Sequence, residues 1–315
     1  MGTLRLPRSP VYGKGGAATE VSLIYVPFMA GDGAHPVSQA PAHYARAGTE
    51  DLLAGMGVLG NSHRIDIETA TGPGGLAASA AVSRVLQKAV RSAVTAGRLP
   101  IVLAGSCDAA IGVAAGLDPG PCGLVWVDAH GDFNTPQSSA SGFFPGMSLA
   151  TVTGHCHQQL WTSLGGRPPI PEELVMLAGV RSLSPAAEAR RLHNSAIHVV
   201  PWEQGTPRGD IAAALDQLAS QADQVYLHID NDAFDPATAP GVVDEPVPGG
   251  LSLAQMEDLI HALAARLPIT AATIATYTPA NDHQDQTLTT DLRIIELLAQ
   301  HAARNQAAPN YRSTI

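Results

Sequence analysis

Short apolar runs, rich in Val, Ile and Leu, alternate along this chain with longer stretches of helical character. The runs are Val21–Val26, His63–Ile67, Pro100–Ala104, Gly123–Val127, Leu174–Gly179, Ala196–Val200, Val225–Ile229 and Ala271–Tyr277. The helical stretches are Pro41–Met56, Leu76–Ala96, Asp108–Ala115, Met147–Thr153, Pro185–Leu192, Arg208–Ser220, Ser252–Leu267 and Thr287–Arg304. In Leu76–Ala96 the apolar residues recur near the helical period. Strands that are apolar on both faces and separated by helix-length segments must pair in parallel, because only a crossover helix returns the chain to the starting edge. The alternation therefore predicts an α/β fold of three α/β/α layers around a mostly parallel sheet. Ser252 is a plausible N-cap, although Glu257 lies too far on to close a capping box with it.

In such sheets ligands bind beyond the carboxyl ends of the strands. Four polar clusters fall there: Gly105–Asp108, Asp128–Pro136, Asp230–Pro240 and Pro279–Asp285. The most informative is Asp128, His130 and Asp132, in Trp-Val-Asp-Ala-His-Gly-Asp at 126–132. If the strand continued, these alternating residues would share one face. A second pair, Asp230 and Asp232, ends the run Val225–Ile229 in the same way. Either cluster alone reads as an ordinary hydrogen-bonded loop. Together, several carboxylates converging at strand ends would repel one another without a cation, so the pattern points to a divalent metal and a metal-dependent hydrolase.

Asp128-Ala129-His130-Gly131-Asp132 closely resembles the Asp-Ala-His-x-Asp signature of the arginase/agmatinase (ureohydrolase) family. His228-Ile229-Asp230-Asn231-Asp232-Ala233-Phe234-Asp235-Pro236 resembles the second signature of that family, and Pro248-Gly249-Gly250-Leu251-Ser252 the Gly-Gly-Leu that follows it. Leu103-Ala104-Gly105-Ser106-Cys107-Asp108 stands where the family has Gly-Gly-Asp-His-Ser. The resemblance spans roughly Val21 to Ala299. It implies an eight-stranded parallel sheet, a homo-oligomer (trimer or hexamer), and two Mn2+ ions per subunit that activate a water against a linear C–N bond. One metal, or another divalent cation, is the alternative.

Carried over by position, Asp128 and Asp230 are the bridging carboxylates, and His130 and Asp232 complete one site. Asp132 belongs to the other, where Asp108 is expected in place of the usual histidine. That set carries one more negative charge than four aspartates and two histidines, and an all-oxygen site would favour Mn, Mg or Ca over Zn. Alternatively that second site stays empty, or Asp108 only N-caps the next helix. The substrate side departs further. Thr276 stands where these enzymes grip the guanidinium with a glutamate, Ser184 lies near the place of an aspartate that reads an α-amino group, and Phe144-Pro145-Gly146 replaces the following histidine. Asn134 and Ser141, with Ser138 and Ser139, lie on the expected substrate loop. His283, on the loop after the last strand, is a candidate acid or base, against the reading of an exposed loop residue. His228 is a second candidate, or else a residue beneath the site or a satisfied core histidine. Cys107 is expected to be a buried structural thiol, since no activating base is identifiable.

These features predict a metal-dependent hydrolase of linear C–N bonds in a small guanidino, amidino, formimino or amide compound, and not an ordinary arginase. Two rivals stay open: a relative that binds or regulates without turnover, and a mononuclear, deacetylase-like amidohydrolase. A net charge of −10 with only Lys14 and Lys88 as lysines argues against nucleic-acid binding. No apolar run reaches the ~18–20 residues of a membrane span. Three cysteines without paired spacing and a polar N-terminus fit a cytoplasmic protein. One domain is expected over 19–305, between flexible tails at 1–18 and 306–315.

Overall fold

The computed structural model describes residues 20–67, 74–165, 168–242 and 246–307, so the tail expected at 1–18 and most of that at 306–315 lie outside the described residues. The strands are β1 (Glu20–Val26), β2 (Leu59–Arg64), β3 (Arg98–Ala104), β4 (Cys122–Val127), β5 (Val175–Ala178) and β6 (His198–Val200), a two-stranded hairpin of β7 (Trp202–Glu203) and β8 (Thr206–Pro207), then β9 (Gln224–Asp230) and β10 (Ile269–Ala275). The helices between them are α1 (Ala40–Arg46), α2 (Thr49–Gly55), α3 (Leu76–Thr95), α4 (Ala109–Gly116), α5 (Ser148–Val152), α6 (Gln158–Ser163), α7 (Ala186–His193), α8 (Ile211–Gln221), α9 (Leu253–Ala264) and α10 (Gln286–Ala307).

Eight strands form one parallel sheet in the order β2-β1-β3-β10-β9-β4-β5-β6. β4 is buried along its whole length, as expected of a strand covered on both faces. Helices α3, α4, α5 and α6 pack in succession, as do α2, α10, α9 and α8, and these helices flank the sheet. The α3–α4 approach depends on composition. A Cβ on Gly116 would sit 2.7 Å from that of Val90, and one on Gly112 3.1 Å from that of Leu86.

Four expectations shift. The helix expected over 41–56 is two, broken at Gly48, whose φ is +83°. β2 begins earlier than the apolar run at 63–67, because this half-exposed edge strand is set by pairing with β1 and not by burial. Helix α6 and the β7–β8 hairpin carry no periodic apolar signal long enough to mark them. Ser252 does cap α9, and its reciprocal partner is Gln255: the hydroxyl accepts from Gln255 N at 3.3 Å, and the Gln255 side chain accepts from Ser252 N at 2.9 Å.

The register brings the strand ends level. Val127 pairs with Ile229, Asp230 with Ala275, and Val26 with Ala104. The loops after β3, β4, β9 and β10, the four central strands, therefore leave the same edge side by side.

Candidate metal centre

A cavity of about 490 Å³ opens between these loops. Cys107, His130, Asp132, Asp230 and Asp232 line it, with Asn134, Ser141, Ser184 and Thr276 on its walls. All four residues expected to meet substrate thus face one space. No lysine or arginine lines it among the described residues.

The first signature does not converge by strand alternation. β4 ends at Val127, and Asp132 takes a left-handed φ of +45° that turns its carboxylate back toward the others. Asp128, Asp230 and Asp232 are tied down by hydrogen bonds. Asp128 is fully buried; it accepts from His130 N at 2.7 Å and from the Trp126 indole at 2.9 Å. Asp230 accepts from Asp232 N at 2.8 Å, from the Cys107 thiol at 2.8 Å, and from the Thr276 hydroxyl. Asp232 accepts from Ala129 N at 3.1 Å, which links the two signature loops. Thr276, with φ +65°, holds a conformation costly for a β-branched residue, and it does so at the carboxylate of Asp230.

Two groups of donor atoms lie within 4.8 Å of one another: Asp128 with His130 and Asp232, and Cys107 with Asp128 and Asp230. A divalent cation with bonds of ~2.0–2.3 Å holds its donors about 3–4.6 Å apart, so both groups have the size of a metal shell. His130 Nδ1 stands 2.9 Å from Asp232 Oδ2 and 3.5 Å from Asp128 Oδ1, so its proton lies between the two carboxylates. Burial opposes charge on His130, but Asp128 and Asp232 outweigh it and push its pKa up to about 12. Burial likewise opposes charge on Asp128, yet His130 holds that carboxyl down.

In the other carboxyls burial and mutual repulsion outweigh the relief their partners give. Burial, then Asp128 and Asp230, raise Asp132 well above the carboxylate range; burial, then Asp232 and Asp128, do the same to Asp230, and Asp232 is raised by burial first. Asp132 Oδ2 is buried without a hydrogen-bond partner. The residues fit a binuclear divalent centre, since cations would relieve the repulsion among these carboxyls and give Asp132 Oδ2 a partner.

The structure places three of the candidates away from the cavity. Asp108 turns away from the cavity. Its Oδ1 accepts from Ala30 N at 3.2 Å and from Ser106, and its Oδ2 from the Ser79 hydroxyl on α3. Its carboxylate is satisfied by protein donors, and it makes no side-chain cap on α4 either. Cys107, one residue earlier, faces the aspartates instead. His283 is exposed and lines no part of the cavity. His228 is fully buried and stacked on Trp126 at 3.8 Å, where desolvation lowers its pKa to about 3. It shares the face of Asp230 but lies two residues, about 6.6 Å, below the edge.

Three other residues escaped the sequence reading. Arg181 donates to the backbone carbonyls of Gly179, Asp232, Ala233, Phe234 and Val247, and so fastens the second signature loop. Glu188 accepts from Phe133 N at 3.0 Å and Ser184 N at 3.2 Å beneath the first loop and reaches the cavity. Its spacing from Leu192, one helical turn on, was the available signal. His35 lines the cavity with Nδ1 buried and unpartnered; its loop gives no periodic cue.

A doubly wound parallel sheet carrying a cluster of carboxylates and one imidazole at its carboxyl edge defines a metal-hydrolase class of α/β protein. A profile described as "Arginase family" matches residues 19–300. The arginase of Bacillus caldovelox is 32% identical over 282 residues, covering 85% of this chain and 93% of that protein. The crystal structure of arginase from Bacillus subtilis subsp. subtilis str. 168 superposes with a TM-score of 0.80 at 30% identity, covering 89% of this chain and 98% of that one. The agmatine ureohydrolase of Thermoplasma volcanium shares the fold, with a TM-score of 0.66 at 19% identity and 93% and 94% coverage. The chain belongs to the arginase family, whose members are metal-dependent hydrolases of guanidino C–N bonds.

Proposed function

We propose that this protein is a metal-dependent hydrolase of a linear C–N bond in a small guanidino or amidino compound, with substrate demands different from those of an ordinary arginase. The observation that carries the reading is the convergence of His130, Asp132, Asp230 and Asp232 on one cavity that no lysine or arginine lines among the described residues, with the buried Asp128 grouped beside His130, Asp232 and Asp230. These residues would hold divalent cations, Mn2+ in keeping with the family. Bound there, the cations would lower the pKa of water and polarise the carbon under attack.

The chain's own groups set the rest. The anionic cavity favours an electropositive or neutral head group and disfavours free anions. Thr276 already gives its hydroxyl to Asp230 and offers a guanidinium no carboxylate. Asn134, Ser141 and Ser184 supply neutral hydrogen-bonding groups, and Glu188 a carboxyl for an amine further out. Phe143, exposed on the rim, gives an apolar surface to the distal part of the substrate. His35 is the histidine in the cavity not engaged by carboxylates, and we assign it the proton exchange with the leaving nitrogen.

The test is metal analysis followed by turnover of a panel of guanidino and amidino compounds. Two divalent ions per chain and release of urea or an amine are expected, with loss of at least about a hundredfold in Asp128→Asn. His35→Asn should lower kcat and remove one limb of the pH profile while leaving metal content unchanged. Protein that carries no cation above background after growth and dialysis in manganese, or an Asp128→Asn variant with full activity, would sink the reading.

A further inference from the structure

The two halves of the cluster do not offer the same donors. One has an imidazole, His130, with Asp128 and Asp232. The other has no histidine: its non-carboxylate atom is the sulfur of Cys107, grouped with Asp128 and Asp230. Cys107 is 2% exposed, lines the cavity, and points its thiol at Asp230 Oδ2, 2.8 Å away. A second observation points to a ligand at the same place. The carboxyl of Asp132 is more than nine-tenths buried and faces the cavity, with one oxygen lacking any protein partner. Asp108, the adjacent oxygen donor that could have served this half, is held elsewhere by Ala30, Ser79 and Ser106.

We propose that Cys107 is a metal ligand: its thiolate, with Asp128, Asp132 and Asp230, holds the second cation in a sulfur-and-oxygen site. The inference rests on the metal-centre reading above. Binding exchanges the S–H bond for an S–metal bond and releases that proton to solvent. The consequence is a cluster with two different chemical preferences. The His130 half, with nitrogen and oxygen donors, suits Mn2+. The thiolate half is softer and shifts toward Zn2+, Co2+ or Cd2+. A mixed-metal pair is then the natural filling when both kinds of ion are offered. Neither Cys122, at the start of β4, nor Cys156, beside Thr151, sits among the cluster carboxylates.

The experiment is cobalt loading of the full chain, read by absorption and by metal stoichiometry. The wild type is expected to take two Co2+ and to show a near-ultraviolet sulfur-to-cobalt charge-transfer band as the second ion enters. Cys107→Ser should lose the band, while Cys122→Ser and Cys156→Ser keep it. In competition dialysis, Cys107→Asp should move the second site's preference from Zn2+ toward Mn2+ by on the order of tenfold. A protein that binds two cobalt ions without the band, or a band that survives in Cys107→Ser, overturns the thiolate assignment alone. A protein that binds no cobalt, zinc or manganese overturns the metal-centre reading on which it rests.

Discussion

The His130 and Cys107 halves of the cluster differ in how they manage charge before any cation arrives. On the His130 side an imidazolium sits between Asp128 and Asp232, and the negative charge is largely compensated from within. On the Cys107 side Asp128 and Asp230 group with a thiol beside Asp132, of these carboxyls Asp128 alone is paired with His130, and Asp132 keeps a bare buried oxygen. The first half is an ion pair that a metal must displace. The second is a largely uncompensated acid cluster that a metal, or protons, must complete. Metal binding must therefore release a proton in both halves, from the imidazolium in one and from the Cys107 thiol in the other, and only in the second does it also relieve repulsion among carboxyls.

The comparison is broken or sharpened most strongly by paired substitutions in metal-free protein. Asp128→Asn removes a partner of the His130 imidazolium and should destabilise the fold by about 3 kcal/mol. Asp132→Asn removes a repelled carboxyl and should stabilise it by roughly 1–3 kcal/mol. Urea titrations of the chelated variants would show the two signs; equal signs would erase the distinction.

Next in size is the response to pH. Asp132, Asp230 and Asp232 have folded pKa values raised above their unfolded ones, chiefly by burial. Their contribution is full below the unfolded carboxylate range and is lost as pH rises through the folded values. Asp291, buried between Tyr44 and Asn231 and raised to about 7 by burial, acts in the same direction and is spent above that pH. The chelated protein should therefore melt at a lower temperature in mildly alkaline than in mildly acidic buffer. Divalent cations should reverse this, because their affinity rises as protons leave. Melting curves across this range with and without manganese test both signs; an apo protein that gains stability with pH would refute the account.

The smallest effect expected is that of Arg181→Lys. A lysine cannot reach the fan of carbonyls that the guanidinium holds, and the loss of those bonds should cost about 1–2 kcal/mol. Because Arg181 fastens the backbone at Asp232, the His130 half should lose metal affinity first, with the sulfur–cobalt band retained. Loss of both together would mean the halves are not separable.

Much of this architecture was legible in the sequence because it follows from burial. Strands covered on both faces must be continuously apolar, and β4, β9 and β10 announce themselves for that reason. Asp128, His130, Asp132, Asp230 and Asp232 were legible because five such residues at two strand ends have few other uses. The choice between Cys107 and Asp108 was not. After β3 the chain turns through Gly105, where a Cβ would meet Phe28 O at 2.4 Å, and neighbouring side chains then leave in opposite directions. One faces the aspartates and the other α3, and nothing in residue type says which. For His228 alternation gives a face but no depth, so the sequence leaves its readings open. His35 and Arg181 act through loops whose course depends on contacts far away in the chain.

The Arg181 fan has a further consequence. Every acceptor it holds on the second signature loop is a main-chain carbonyl, at Asp232, Ala233, Phe234 and Val247. Main-chain acceptors are present whatever amino acid occupies a position. The frame that presents Asp232 is therefore indifferent to the side chains it fastens, and mutations in these loops can accumulate without moving the carboxylate. Such a scaffold lets selection explore new substrate rims while an inherited centre stays in place.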